Sequence, residues 1–251
     1  MAKVLITARL FGTVSDQGKQ LLLSAGHQIL PNPYLGRLLN ENEVIELIED
    51  ADGIIAGQDA LTGKAIAAGK NLKIITRYGV GIDKVDIASA TKQKVIVTNT
   101  PGANSGSVAE YAMALMLAVA RKLVIGRNSV IQGKWDFMTS TGLNNKVLGI
   151  IGLGKIGQGL AIRAKGFGMK SIAYDPYPND QFAAENDIEF VDLQQLLRDS
   201  DFISLHAPGT KENIHLIGKQ QLDLMKSTAF LINTARGTLI DEQALFEALS
   251  E

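Results

Sequence analysis

Short apolar runs of strand length alternate along the chain with segments of helical periodicity. In the first hundred residues the strand-like runs are 4–6, 28–30, 53–56, 72–75 and 95–97. Between them, apolar residues recur three and four positions apart, as at Val44, Leu47 and Ile48, which is the spacing of a helix with one buried face. Strand–helix alternation of this kind predicts a parallel sheet covered on both faces. We therefore predict a first α/β domain over residues 1–100.

A second domain follows a break at residues 98–102, which contain a Pro-Gly pair. Residues 111–120 are apolar on almost every side, which predicts a long helix buried between domains or in a dimer interface. Ser107 and Glu110 have the spacing of a capping box at the start of this helix. Five further strand candidates are 147–151, 171–174, 188–191, 202–206 and 229–233. Residues 101–251 are thus predicted to form an interdomain helix and a second α/β domain.

The first strand of this second domain leads directly into Gly-Leu-Gly-Lys-Ile-Gly at residues 152–157. In a dinucleotide fold Gly152 makes the tight turn, Gly154 lets the backbone approach a pyrophosphate, and Gly157 lets the helix pack closely on the strand. The amides at the start of that helix, together with its dipole, favour the phosphate charge. A plain strand–turn–helix without a ligand is the alternative. The strand before the motif and the helix after it favour a nucleotide site.

Asp175 stands at the tip of the next predicted strand. A carboxylate in this place accepts hydrogen bonds from both ribose hydroxyls of NAD and repels the 2′-phosphate of NADP. Pro176 and Tyr177 follow it, and no arginine does. A solvated acid in a turn is the alternative interpretation. The glycine motif and this acid together predict NAD as the cofactor.

Composition narrows the class of protein. The formal net charge is −1, so no strong field draws the chain to nucleic acid or to a membrane. The absence of cysteine excludes disulfides, thiolate catalysis and cysteine-based metal sites, and we expect no bound metal. The N-terminal residues lack the pattern of a signal peptide, and the apolar stretch 111–120 is too short to span a bilayer. We expect a cytoplasmic protein.

Three further segments stand at predicted strand ends, where doubly wound folds bind their ligands. Residues 77–83 contain closely spaced glycines, whose amides suit a carboxylate; a simple tight turn is the alternative. Residues 204–208 are expected to line the adenosine half of a bound dinucleotide. Residues 233–237 direct Arg236 into the cleft, where a guanidinium grips a carboxylate and polarises a carbonyl group. A surface salt bridge is the alternative for this arginine.

Taken in order, these segments resemble the D-isomer-specific 2-hydroxyacid dehydrogenase family, and most closely its D-3-phosphoglycerate dehydrogenase branch. The matching residues are 77–86, 99–105, 149–157, 174–176, 206–208 and 233–237. The resemblance implies a Rossmann NAD-binding domain and a flavodoxin-like α/β substrate domain, of which residues 1–100 are the N-terminal part. It also implies a homodimer formed through the long helix 105–121. The implied reaction is NAD-dependent oxidation of the CH–OH group of a D-2-hydroxy acid.

The same resemblance assigns roles to single residues. Arg236 would be the catalytic arginine that binds the carboxylate and the keto oxygen of the substrate. The implied substrate-binding residues are Arg77, Gly79, Val80, Gly81, Asn104 and Arg236. The implied cofactor-binding residues are Val80, Gly152, Gly154, Lys155, Ile156, Gly157, Asp175, His206, Ala207, Pro208, Thr234, Ala235 and Arg236.

The chain departs from the family pattern near its end. The family's proton-donating histidine, its partner carboxylate and the sixth strand of the nucleotide sheet are expected beyond the last helix, so the domain at 101–251 is predicted to be truncated. His27, His206 and His215 are predicted not to replace the missing acid. We therefore expect a shortened chain that binds NAD and has impaired catalysis, since losing a general acid slows a reaction by roughly 10²–10⁴-fold.

Substrate and biological role are less determined by the sequence. Arg9 either contacts the phosphate of 3-phosphoglycerate, which is the substrate in serine biosynthesis, or is a surface residue. Gln58 supplies no positive charge at the end of the third strand. We favour 3-phosphoglycerate over other 2-hydroxy acids. A corepressor-like protein that binds NAD(H) with little turnover is one alternative, and an inactive truncated product is another.

Overall fold

The computed structural model describes residues 1–250. These residues form two compact units, the second of which begins at Asn104. Each unit contains one five-stranded sheet, and every pair of neighbouring strands is parallel. Two parallel sheets flanked by helices confirm the predicted α/β class.

The first unit alternates strands and helices throughout. Its elements are β1 (Lys3–Ile6), α1 (Gln17–Ser24), β2 (Gln28–Ile29), α2 (Glu41–Ile48), β3 (Gly53–Ala56), α3 (Gly63–Ala68), β4 (Ile74–Arg77), α4 (Ile87–Lys92) and β5 (Ile96–Thr98). The spatial order β2-β1-β3-β4-β5 is that of a flavodoxin-like doubly wound sheet. Strand β4 begins later than predicted because Leu72 is still in a turn, where its N–H bonds the carbonyl of Gly69. The strand also ends later than predicted, and Arg77 is its last residue.

The second unit opens with two helices and continues as a strand–helix alternation. Its elements are α5 (Ser105–Ala120), α6 (Leu123–Ile131), β6 (Val147–Ile151), α7 (Lys155–Gly166), β7 (Lys170–Tyr174), α8 (Asp180–Glu185), β8 (Glu189–Phe190), α9 (Leu193–Asp199), β9 (Phe202–Leu205), α10 (Lys219–Leu224), β10 (Phe230–Asn233) and α11 (Glu242–Ser250). All five predicted strands are present. The spatial order β10-β9-β6-β7-β8 matches the first five strands of a Rossmann sheet.

Helices bury both faces of the second sheet. Successive residues of a strand point to opposite faces, so Ile150 of β6 joins the core cluster of α5 and α7, whereas Ile151 joins that of α9. Gly149 faces α9, where an added Cβ would lie 2.6 Å from Leu196. Glycine at this position lets α9 approach the central strand of the sheet.

Helix α5 begins before the predicted capping box. Its N-cap is Asn104 and no side chain caps it, so the capping-box prediction is wrong. Glu110 instead accepts a 2.8 Å hydrogen bond from Arg163, which joins α5 to α7. Ala109 packs at the same contact, 3.1 Å from where a Cβ on Gly159 would lie. Within residues 1–250 no helix, including this one, is both long and apolar enough to cross a membrane.

Helix α6 and the residues after it carry many exposed apolar side chains. Their exposed fractions run from 56% at Leu123 to 97% at Phe137. Large exposed apolar side chains concentrated in one segment of the chain indicate an interaction site. We refer to it as the apolar patch, and its members are Leu123, Val124, Ile125, Val130, Ile131, Trp135 and Phe137.

Asp52 and Asp201 fix the amino ends of the two sheets in the same way. Asp52 precedes β3 and accepts the N–H of Lys3, at the start of β1, at 2.8 Å. Asp201 precedes β9 and accepts the N–H of Val147, at the start of β6, at 2.9 Å. Each carboxylate also meets a lysine ammonium, at 3.5 Å and 3.2 Å respectively. Burial raises the pKa of Asp201 but the bonds it accepts outweigh this and lower it, and the bond from Lys3 lowers the pKa of Asp52.

Candidate functional site

The glycine motif of the second unit has the geometry that a dinucleotide loop requires. Gly152 has φ +95°, a conformation that side-chain-bearing residues rarely adopt, and an added Cβ would lie 2.9 Å from the backbone of His206. A Cβ on Gly157 would overlap the carbonyl oxygen of Gly152. At Gly154 an added Cβ would meet nothing within 4 Å. Gly152 and Gly157 therefore serve the fold, whereas Gly154 leaves open space.

The start of helix α7 offers main-chain donors to an anion. Gly154 is the N-cap, and no side chain accepts a hydrogen bond from the first turn. The first turn begins with Lys155 and Ile156, and its N–H groups carry the positive end of the helix dipole. Gln158 donates to the carbonyl of Leu153 at 3.0 Å and so stiffens the loop. This is the arrangement that binds pyrophosphate at a helix N-terminus.

Asp175 follows β7 and is held in place by two main-chain donors. Its Oδ2 accepts the N–H of Leu153 at 2.8 Å, and its Oδ1 accepts the N–H of Tyr177 at 2.9 Å. A carboxylate has about four acceptor positions, so both oxygens keep capacity for a sugar hydroxyl. The acid is therefore fixed next to the glycine loop, at the strand end where dinucleotide folds carry the acid for a ribose.

Two polar atoms at adjacent strand ends are buried without a partner among the described residues. They are Nδ1 of His206 and Oγ1 of Thr234. Leu205 pairs with Asn233, so these two residues are the next ones along β9 and β10. Unpaired buried polar atoms are rare, and two of them at this edge fit a site that a polar ligand completes. The residues present thus fit a bound NAD molecule.

The imidazole of His206 is also engaged inside the protein. Its Nε2 lies 2.9 Å from Oγ of Ser204, which is fully buried. Burial lowers the pKa of His206 to about 4. The ring is therefore neutral at physiological pH and is a poor store for a catalytic proton.

Arg236 projects from a loop that β10 fixes. The side chain of Asn233 accepts the N–H of Ala235 at 2.9 Å and donates to the carbonyl of Arg236 at 2.8 Å. Nη1 of Arg236 donates to the carbonyl of Ala235 at 2.8 Å. The aliphatic part of Arg236 lies so close to Gly209 that an added Cβ there would be 2.8 Å away. The guanidinium is therefore oriented by its own loop and by the residues after β9.

The predicted substrate loop of the first unit follows β4. The Arg77 side chain is buried, and its Nη1 donates to the carbonyls of Ala56 at 3.2 Å and of Tyr78 at 2.8 Å. Gly79 has φ +148°, and Val80 is exposed. These contacts place the Arg77 guanidinium beneath the loop as a support for its backbone.

The predicted site residues fall into two groups. Those of the second unit stand at the carboxyl ends of β6, β7, β9 and β10, with Ala207 and Pro208 directly after His206. In the first unit, Arg77 is the last residue of β4 and residues 79–81 follow the strand. Asn104 follows neither set of strand ends in sequence: it is the N-cap of α5, where its carbonyl accepts the N–H of Val108.

The other histidines have local roles. Nδ1 of His27 accepts the N–H of Ala2 at 3.3 Å, at the amino end of the first sheet. His215 has φ +55°, and its Nδ1 lies 3.7 Å from the carboxylate of Asp241, which caps α11 through Ala244. Neither was predicted to be the catalytic acid.

Sequence reasoning assigned no role to four residues that support the site, although three of them lie within the candidate segments and only Gly209 lies outside. Asn99, Asn233, Ser204 and Gly209 all contact a predicted site residue. The only signal available for them is their position directly at or after a strand end.

The fold and these strand ends define a doubly wound dinucleotide-binding protein. The model of the D-isomer specific 2-hydroxyacid dehydrogenase family, NAD binding domain, matches residues 113–251. The chain belongs to this family, as the sequence resemblance indicated, and its cofactor is NAD.

Similar proteins share most of this chain. A glyoxylate reductase of Korarchaeum cryptofilum is 41% identical over 215 residues, which cover 83% of this chain and 65% of that protein. A D-3-phosphoglycerate dehydrogenase of Methanocaldococcus jannaschii is 45% identical over 217 residues, covering 85% of this chain and 41% of that protein. The chain thus spans less than two thirds of the length of either relative.

Solved structures show the same architecture. A protein of Thermus thermophilus superposes with a TM-score of 0.89 at 34% identity, covering 99% of this chain and 78% of that one. A D-lactate dehydrogenase of Aquifex aeolicus, complexed with NAD and lactic acid, superposes with a TM-score of 0.85 at 29% identity, covering 99% and 73%. These matches confirm the predicted Rossmann fold and show that the chain covers part of the family fold.

Proposed function

We propose that this chain serves NAD-dependent oxidation and reduction at C2 of a D-2-hydroxy acid and its 2-keto acid. One observation carries the proposal. The uncapped start of α7, the doubly held Asp175 and the loop-fixed Arg236 all stand at the carboxyl edge of one sheet. That edge is where doubly wound folds bind dinucleotides and their reaction partners.

Each of these groups has a distinct task in the proposed site. The amides of Lys155 and Ile156 hold the pyrophosphate, and Asp175 accepts the ribose hydroxyls. Thr234 and His206 offer their buried polar atoms to the same ligand. Bound NAD supplies the group that accepts or donates a hydride at the substrate C2. Residues 101–251 are the proposed nucleotide domain, and residues 1–100 are the proposed N-terminal part of the substrate domain.

Arg236 is the proposed catalytic residue. Its planar guanidinium donates two parallel hydrogen bonds to a carboxylate, a geometry that fixes a 2-keto acid in one orientation. A donor aimed at the keto oxygen also stabilises the negative charge that develops there. The amides of residues 79–81 offer further donors to the substrate carboxylate.

The proposed substrate is 3-phosphoglycerate, with glyoxylate and hydroxypyruvate as the competing choices. Arg9 is exposed in the segment after β1, and within residues 1–250 it makes no ion pair. A cation with no carboxylate partner is suited to a substrate phosphate. The uncharged Gln58 supplies no second cation at the end of β3. Glyoxylate and hydroxypyruvate are kept as competing substrates because similar proteins include a glyoxylate reductase and a hydroxypyruvate reductase.

Turnover by residues 1–251 alone is proposed to be slow. His206 is neutral and bonded to Ser204, His27 is at the opposite edge of its sheet, and His215 faces Asp241. None of them is proposed to move the hydroxyl proton. Without such a group the rate falls by roughly 10²–10⁴-fold.

The proposed partner is a second copy of the chain. One face of α5 packs against its own unit, whereas Tyr111 and Val119 of the same helix are exposed, as are the members of the apolar patch. A second copy that covers this surface would remove the patch from water. The proposed homodimer thus uses the long helix 105–121 together with α6 and the residues after it.

One assay tests the proposal. NADH fluorescence is titrated with the chain, and turnover is then measured with glyoxylate, hydroxypyruvate and the oxidised form of 3-phosphoglycerate. We expect NADH binding, and slow turnover that Arg236→Gln abolishes even at NADH concentrations that saturate the variant. Failure to bind NADH, or equal turnover by the Arg236→Gln variant, would contradict the proposal. Tight NADH binding without any effect of keto acids would favour an NAD-sensing role.

A further inference from the structure

Two successive carbonyl groups of the loop 78–81 are held by residues that follow β5. The carbonyl of Val80 accepts a hydrogen bond from Nδ2 of Asn99 at 2.7 Å. The carbonyl of Gly79 accepts one from the main-chain N–H of Thr100 at 3.1 Å. Both donors belong to neighbouring residues at one strand end, so both carbonyls are drawn toward the same side of the loop.

These bonds decide where the loop amides point. In a trans peptide the C=O and the following N–H point in opposite directions, and no peptide bond among the described residues is cis. Holding the Val80 carbonyl toward Asn99 therefore turns the Gly81 N–H away from it. The bond from Thr100 does the same for the Val80 N–H. Two successive amides thus point to one side, which is the arrangement that binds an anion.

We infer that Asn99 is a positioning residue for the substrate carboxylate, because its side chain sets the direction of the Gly81 N–H. The inference rests on the proposed function, in which the amides of residues 79–81 bind that carboxylate. Asn99 itself need not touch the substrate. Of the two donors after β5 it is the one that a side-chain truncation removes, since Thr100 donates from its main chain.

The neighbouring residue provides a matched control. Oγ1 of Thr98 donates to Oγ1 of Thr76 at 3.2 Å, across β5 and β4. This bond is exposed like that of Asn99, but it does not involve the loop 78–81. A Thr98→Ala variant therefore removes a side-chain hydrogen bond at the same strand end without freeing a loop carbonyl.

The test measures carboxylate binding at Gly81 by NMR. Glyoxylate is titrated into the ¹⁵N-labelled chain with saturating NAD⁺, so that no hydride is available for reduction. In the wild type the Gly81 amide signal shifts in a saturable way. Asn99→Ala weakens glyoxylate binding about tenfold, the scale of one lost or misaligned hydrogen bond to a charged acceptor. Its affinity for NADH is unchanged, and Thr98→Ala behaves like the wild type.

A second variant keeps the test decisive. Asn99→Asp preserves the side-chain volume but replaces the donor by an acceptor, so it weakens glyoxylate binding at least as much as Asn99→Ala. Glyoxylate affinities equal to that of Thr98→Ala in both variants would overturn the role of Asn99. No shift at Gly81 in the wild type would instead overturn the proposed use of this loop by the substrate.

Discussion

The carboxylate of Asp175 accepts the main-chain N–H of Leu153 at 2.8 Å, joining the end of β7 to the loop after β6. This bond runs between the proposed ribose acceptor and the loop proposed to receive the pyrophosphate. Movement of one is therefore transmitted to the other. The same bond leaves acceptor positions of the carboxylate open.

Replacing Asp175 should change the choice of coenzyme. We expect Asp175→Ala to weaken NADH binding at least tenfold, because it removes a charged acceptor for two hydroxyl groups. The preference for NADH over NADPH should fall as well, since the repulsion of a 2′-phosphate is lost. Fluorescence titration with both coenzymes measures the two effects.

Asp187 supplies the control for that experiment. It is a well-exposed acid of the same unit, with φ +58° and a 2.8 Å ion pair to Lys165. Asparagine tolerates this backbone conformation, so Asp187→Asn should leave both coenzyme affinities unchanged. If Asp175→Ala had the wild-type affinity for NADH and the wild-type affinity for NADPH, the assignment of the ribose acceptor would be refuted.

Two of the motif glycines, Gly152 and Gly154, should separate folding from binding. Gly154→Ala has space for its methyl group, so its free energy of unfolding should stay within about 0.5 kcal/mol of the wild type. Its NADH affinity should nevertheless fall at least tenfold, because the pyrophosphate must approach the backbone there. Gly152→Ala should instead lose roughly 2–3 kcal/mol of stability through its positive φ and its contact with His206. Urea denaturation and NADH titration give both quantities, and wild-type binding by Gly154→Ala would exclude this role.

The buried His206 should make the ligand-free protein less stable in mild acid. Its pKa lies near 4 in the folded state against 6.5 without the fold. The unfolded chain therefore binds more protons between these values, and stability falls as pH drops through that window, by up to roughly 3 kcal/mol. At pH 7 and above the imidazole is neutral in both states and contributes nothing to this dependence.

Urea denaturation at pH 5.0, 6.0 and 7.5 measures the effect. His206→Asn has no titrating ring, so its stability should depend less on pH across this range even if it is lower overall. Carboxylates such as Glu43, whose bond from Arg37 lowers its pKa to about 2, titrate at lower pH and do not obscure the comparison. Parallel pH profiles for the two proteins would contradict the expectation.

Charge placed in the apolar patch should dissociate the proposed dimer. The double variant Ile125→Asp, Ile131→Asp should raise the dimer dissociation constant at least 100-fold, because a buried isoleucine contributes about 1.5–3 kcal/mol and a buried unpaired charge opposes association. Sedimentation velocity across a concentration series measures this constant. Leu21→Asp is the control, at a residue that is 70% exposed in α1. It should leave the dimer dissociation constant unchanged. A monomeric wild type would refute the dimer directly.

Periodicity and glycine spacing predicted the strands, the α/β class and the nucleotide loop, because each depends on residues close together in the chain. The close-packing roles of Gly152 and Gly157 followed for the same reason, whereas the pyrophosphate role of Gly154 stays a prediction. Asn99 and Arg77 show where this reasoning stops, since both act on carbonyl groups whose direction is set by loop conformation. The helix 105–121 was predicted with nearly its observed bounds, but its capping box was mispredicted because Glu110 bonds a residue of another helix, a tertiary contact that the local Ser–Glu spacing does not encode.

Asp52 and Asp201 join neighbouring strands at the amino end of each sheet. The proposed site residues lie at the opposite, carboxyl end. Stability and coenzyme affinity can therefore change independently. Substitutions at these acids alter the free energy of unfolding of one unit and leave the coenzyme-binding residues in place. Adaptation to temperature can therefore act on the amino ends of the strands, while selection for a new substrate acts on the carboxyl ends.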